Sequence, residues 1–168
     1  QIALSCSSLQ YLSLYNCKEI TDFSMEHLAA HCTHLQYLDL SSCQKLTDEG
    51  FKHLNFPSLR TLNLEDSSIS DSAAALIISK SPLLTHANLA FCPSIHQETM
   101  RSLTLCKELT CLDISYCNSI PLPCLQNALD ELSNLKQLHL RGYSQLTSKM
   151  ISHASLRVLN LSWCKLLT

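Results

Sequence analysis

Leu35-Gln-Tyr-Leu38-Asp-Leu40-Ser-Ser-Cys43 decides how this chain is built. Three leucines at L-x-x-L-x-L spacing alternate one face in and one face out, the pattern of a half-buried strand. The same block stands upstream as Leu9-Gln-Tyr-Leu12-Ser-Leu14-Tyr-Asn-Cys17 and returns from Leu59, Leu84, Leu109, Leu135 and Leu156. The steps between these seven starts are 26, 24, 25, 25, 26 and 21 residues. A period of this length marks a stacked array whose units bury their leucines against one another.

Downstream of each block the spacing changes from two to three. Met25 with Leu28, Phe51 with Leu54, Met100 with Leu103 and Leu125 with Ala128 each lie on one face of a helix. Thr21-Asp22, Thr47-Asp48 and Ser70-Asp71 supply helix N-caps, and Pro121 and Pro123 suit the first turn in the fifth copy. Each unit is therefore predicted to run strand, turn, helix. Stacking places a parallel sheet inside an arc and helices outside it.

The pattern Cys32-x-x-Leu35-x-x-Leu38-x-Leu40-x-x-Cys43-x-x-Leu46-Thr47-Asp48 resembles the cysteine-containing leucine-rich repeat of F-box/leucine-rich-repeat proteins. The segment from Cys6 to Asp22 matches it equally, and the resemblance covers essentially the whole chain. It implies an α/β right-handed horseshoe solenoid of about seven repeats, with a concave parallel sheet and convex helices. It also implies protein recognition, in that family the substrate-recognition part of a ubiquitin ligase adaptor acting through an F-box, a motif these residues do not contain. Similar repeats occur in non-degradative scaffolds and in bacterial effectors that bind host proteins. Departures from the family are local. The slot before the second cysteine, often glycine, holds Asn16, Ser42, Asp66, Phe91, Tyr116, Gly142 and Trp163; Ser67 and Tyr143 replace the cysteine itself in copies three and six.

Composition narrows the function classes. Charged residues are only 15% of the 168 and the net charge is −2, with no basic cluster for nucleic acid or a membrane surface. No apolar run is long enough to span a bilayer. Most of the ten cysteines recur at fixed repeat positions, so the reading is free, buried thiols in a reducing compartment, cytoplasm or nucleus. Cys17, Cys43, Cys92, Cys117 and Cys164 are expected to be closed to solvent, with Cys111 the most reactive. Residues 1–168 are expected to form a single domain, a fragment with incomplete end repeats, since solenoid ends need polar caps.

No chemistry-bearing motif survives scrutiny. Cys106, Cys111, Cys117 and Cys124 lack any Cys-x-x-Cys pair and should diverge, so no metal is expected. His27 and His31 are four apart, but Leu28 stands where a zinc protease has glutamate. With only Gly50 and Gly142, there is no phosphate loop. Neither a cofactor nor catalysis is expected; an enzyme with a loop-borne site is the remote alternative.

The outward side chains of the strands point instead to a partner. Tyr11, Tyr15 and Tyr37 lie among them, and Phe91, Tyr116 and Trp163 come just past the strands. Six of the ten aromatics thus fall on or beside the concave face, and exposed aromatics anchor protein interfaces. Asp39, Glu65, Asp66 and Asp113 make its middle acidic, with Arg141 the lone cation. A protein partner with a basic segment is the complement. Seven strands at ~4.8 Å spacing give a face on the order of 30 Å long, the scale of a protein interface.

Overall fold

The structure, a computed structural model, describes residues 2–147 and 153–167. Its leucines form seven three-residue strands: β1 (Tyr11–Ser13), β2 (Tyr37–Asp39), β3 (Thr61–Asn63), β4 (His86–Asn88), β5 (Cys111–Asp113), β6 (Gln137–His139) and β7 (Val158–Asn160). They pair in parallel, strictly in sequence order, in one sheet. Leu12, Leu38, Leu62, Ala87, Leu112, Leu138 and Leu159 occupy one row across all seven. The predicted register is the observed one.

Helices alternate with the strands: α1 (Ile2–Ser5), α2 (Asp22–His31), α3 (Asp48–Lys52), α4 (Asp71–Ser79), α5 (Gln97–Leu103) and α6 (Leu122–Glu131). The helix expected in the sixth repeat lies outside the described residues. Thr21, Thr47 and Ser70 are the N-caps of α2, α3 and α4, as their types favour, whereas Pro121 sits at the N-cap of α6 and only Pro123 lies in its first turn. Met25, Leu28, Phe51, Leu54, Met100, Leu103, Leu125 and Ala128 all face one continuous core. Among the described residues, no helix is long and apolar enough to cross a membrane.

A second set of bonds ties each repeat to the next. The aspartate after each cap reaches forward: Asp22 accepts from Thr47 N (2.9 Å) and Thr47 Oγ1 (2.7 Å), and Asp48 accepts from Ser70 N (3.0 Å). Asp71 does most, taking His96 N, Thr99 N and Glu98 N at 2.8–3.0 Å. His96 makes no side-chain cap bond of its own, so α5 is capped by the repeat before it.

The cysteine ladder works as a hydrogen-bonded spine. Cys43, Cys92 and Cys117 each donate Sγ–H to the carbonyl of Leu14, Leu64 or Leu89 in the preceding repeat, all at 3.0 Å. Cys164 does so to Leu140 O at 3.1 Å. Tyr143 fills the sixth slot fully buried and donates its hydroxyl to Ile120 O instead. Burial pushes the Cys92 and Cys106 thiols up to about 11 and that of Cys117 up to about 12. Two expectations are corrected. Cys17 is only half-buried, because β1 has a neighbour on one side alone, and Cys6, not Cys111, is the exposed thiol. Cys111 is half-buried and its thiol is raised by burial and then by the Asp113 charge. Maleimide labelling of the native protein should therefore modify Cys6 first and leave Cys43, Cys92, Cys106 and Cys117 intact even near pH 9. Rapid native labelling of that buried set, read by mass spectrometry, would overturn the register.

Candidate protein-binding face

The strand exits are built by one repeated turn. At the third strand position Asp39, Asn63, Asn88, Asp113 and Asn160 each accept, through Oδ1, the N–H two residues on, at 2.9–3.1 Å. This is the side-chain-to-backbone turn that Asp and Asn favour. The recurrence of Asp or Asn in five of seven copies was a visible signal for it. Two of the four expected surface acids are therefore structural. Asp39 is buried, bonded also to the Ser41 hydroxyl and, through Oδ2, to Ser13 Oγ at 3.4 Å. Asp113 is half-buried and committed to Ser115 N.

The residue three places past the third strand position lies in the left-handed region in every copy. Asn16, Ser42, Asp66, Phe91, Tyr116, Gly142 and Trp163 have φ between 53° and 66°. Asn and Asp tolerate this conformation; bulky side chains do so at a cost of roughly 1–2 kcal/mol. Phe91, Tyr116 and Trp163 bear that cost while their rings remain outside the core, Phe91 and Trp163 exposed and Tyr116 partly so. The Phe91 and Tyr116 rings stack, centroids 4.5 Å apart and planes 18° from parallel. The Arg141 guanidinium stands 5.9 Å from the Tyr116 ring centre.

Gly142 completes this ledge. A Cβ there would come within 2.3 Å of Tyr116 Cε1, so the missing side chain makes room for the ring. Since six other residues hold the same φ, glycine is required here mainly by Tyr116. Gly142→Ala should cost about 1 kcal/mol of stability and shift the ring off its seat. Urea unfolding together with quenching of the Phe91–Tyr116 stack in near-ultraviolet dichroism checks this; an unchanged spectrum would refute the seat.

At the other end Tyr11 and Tyr37 stack, centroids 4.0 Å apart and 10° from parallel. The hydrogen bond the Tyr37 hydroxyl donates to Tyr11, then burial and the Asp39 charge, push the Tyr37 phenol up to about 12. Tyr15 is exposed beside them. Along the strands from β2 to β6 lies a shallow depression of about 240 Å³ lined by Tyr37, Asn63, His86, Cys111, Asp113 and His139. Of the acids, Glu65 and Asp66 keep access to solvent; Glu65 Oε2 accepts from Asn88 Nδ2 at 3.0 Å and Asp66 Oδ2 from Ser42 Oγ at 3.1 Å. Arg141 is exposed and pairs with no carboxylate among the described residues. Trp163 projects alone from the last described slot. The eleven expected residues therefore divide. Tyr11, Tyr15, Tyr37, Glu65, Asp66, Phe91, Tyr116, Arg141 and Trp163 offer surface, whereas Asp39 and Asp113 hold turns. Among the described residues no group of three or more His, Cys, Asp or Glu is placed to hold a metal ion.

Solved structures share this fold. A chain of the yeast Rad7–Elc1 complex superposes with a TM-score of 0.77 at 20% identity, over 89% of this chain and 41% of that one. The tropomodulin C-terminal domain of Caenorhabditis elegans gives 0.56 at 14% identity, over 80% and 93%. The leucine-rich-repeat ectodomain of the Arabidopsis receptor kinase HAESA, in complex with a peptide hormone, gives 0.53 at 20%, over 85% and 28%. The chain spans about two fifths of the length of the Rad7–Elc1 chain it matches. No curated protein matches the sequence significantly. A leucine-rich-repeat family model matches residues 152–168. The leucine-rich-repeat model of the FBD-associated F-box protein At5g56370 matches residues 3–105, more than half of the sequence, and the chain belongs to that family.

Proposed function

We propose that this chain is the partner-recognition arm of an F-box-type ubiquitin ligase adaptor, gripping a protein through its concave face and rim. We take residues 1–168 as one repeat domain, a reading supported by the continuous core that the described residues share. The observation that carries the reading is the ledge: bulky aromatics kept at positive φ, where Asn or Gly would be more stable, with their rings outside the core. Strain of that kind is retained where the side chain has work outside the fold. The family supplies the ligase context, and HAESA is a leucine-rich-repeat ectodomain seen with a peptide ligand. Ladder thiols that donate to carbonyls must stay reduced, which suits the cytoplasm or nucleus.

The test separates stability from binding. Phe91→Asn relieves the left-handed strain but removes the stack, so its unfolding free energy should stay within about 0.5–1 kcal/mol of the parent. Binding to a partner recovered by affinity capture and mass spectrometry should fall by at least ~1–2 kcal/mol, the usual weight of such an anchor. Lys52→Ala and His53→Ala on the exposed convex side should leave it unchanged. Loss of binding by the convex pair, with Phe91→Asn silent, would move the site to the helices. For the ligase role, ubiquitination of that partner should rise with the full-length protein and fall with its Phe91→Asn form.

A further inference from the structure

The rim has a polarity that the concave face as a whole lacks. Backbone bonds continue past the strands, from Asp66 N to Ala90 O, Phe91 N to Ser115 O and Tyr116 N to Arg141 O, at 2.8–2.9 Å. They align Glu65, Ala90, Ser115 and Arg141 in one column across four successive repeats. Its two ends carry opposite charge, and both ends reach solvent. Between them stand only the small residues Ala90 and Ser115, 3% and 5% exposed. The adjoining column presents Asp66, then the stacked Phe91 and Tyr116 rings, then Gly142. The result is a low trough with an acidic end, an aromatic wall and a basic end.

We propose that this trough binds an extended peptide segment of a protein partner that carries a basic side chain at one end and an acidic side chain at the other, with small or apolar residues between. The inference rests on the concave face and rim being the binding surface and adds the partner's chemistry. Three inter-strand steps at ~4.8 Å separate Glu65 from Arg141 by roughly 14 Å, which four residues of extended chain cover at ~3.3 Å each. The base meets Glu65 and Asp66, whose present bonds to Asn88 and Ser42 occupy one oxygen apiece. The acid meets Arg141, whose guanidinium can clamp a carboxylate in two-point fashion. The intervening residues lie over Ala90 and Ser115 along the edges of the stacked rings. A uniformly basic segment would leave Arg141 facing a like charge, which specific interfaces avoid.

The probe is a random nonapeptide library displayed on phage, selected on the immobilised full chain. The same selection is run on Arg141→Glu, on the Glu65→Lys/Asp66→Lys double variant and on Phe91→Asn, each checked for folding by circular dichroism. Peptides recovered on the parent should share one basic and one acidic position about four residues apart, flanking small or apolar residues. Arg141→Glu should replace the acidic position with a basic one and weaken the parent peptides at least tenfold in a fluorescence titration, leaving the basic position untouched. The double variant should do the converse. Uniformly basic peptides that ignore Arg141→Glu but are lost with Phe91→Asn would overturn the two-ended trough and leave the binding face standing. Enrichment that Phe91→Asn does not affect, or no enrichment above the bare support, would overturn both.

Discussion

Asp71→Ala should lower the unfolding free energy by about 3 kcal/mol, far more than a surface aspartate is worth. Its carboxylate is shared by three backbone N–H groups of the next repeat, two of them in the first turn of α5. Hydrogen bonds to a charged group contribute about 1.5–3 kcal/mol each, reduced here because Asp71 is partly exposed. Removing it leaves α5 uncapped, and the Thr99 N–H without a partner belongs to a fully buried residue. Asp71→Asn should fall between the two, since one oxygen survives but the new amide opposes Glu98 N–H. Burial pushes the Asp71 carboxyl up, and the bonds from Thr99, His96 and Glu98 outweigh it, leaving the group below its ordinary value. The carboxyl titrates lower when folded than unfolded. Its contribution is thus complete above the unfolded value of about 3.9 and disappears as the pH falls through the folded one. Urea midpoints at pH 7 and pH 3 check both parts. The deficit of Asp71→Ala should be large at pH 7 and smaller at pH 3; equal midpoints for parent and variant at pH 7 would refute the trans cap.

The repeat was legible because leucine spacing is a packing requirement that every copy must meet. It placed all seven strands and the helical faces from Met25 to Ala128. Aspartates 22, 48 and 71 were visible only as the second half of cap dipeptides. Their real partners lie 22 to 28 residues away, one repeat on, and the register had to be seen before the bonds could be. The binding face was half legible. Alternation puts Asp39 and Asp113 outward, yet a short carboxylate at a strand exit bends back to its own backbone, so outward position did not mean free charge. Conversely, the slot before the cysteine was noticed as a departure from glycine. What the departure means, aromatic rings held out at positive φ, needed the backbone angles.

The same slot in two places offers a sharp contrast in stability. Leu112→Ala in β5 should cost about 4 kcal/mol, whereas Leu12→Ala in β1 should cost roughly 1–2 kcal/mol. Leu112 is fully buried between Leu138 on one side and Ala87 on the other. Because Ala87 already fills the row with a small side chain, truncating Leu112 sets two alanines side by side. The cavity cannot be closed by a leucine leaning across, which places the change high in the range for buried leucine. Leu12 has a single strand neighbour, β2, and remains half-exposed, so it has less burial to lose. Repeats couple chiefly to their neighbours, so a lesion in the middle also weakens the link between the two flanks. Leu112→Ala should accordingly lower the urea m-value, as the flanks begin to unfold separately, while Leu12→Ala shifts the midpoint and leaves the slope nearly unchanged. Equilibrium melts followed by far-ultraviolet dichroism give both quantities. Equal losses at the two leucines would mean that the row does not form one continuous core, and the nearest-neighbour account of this solenoid would fail with it.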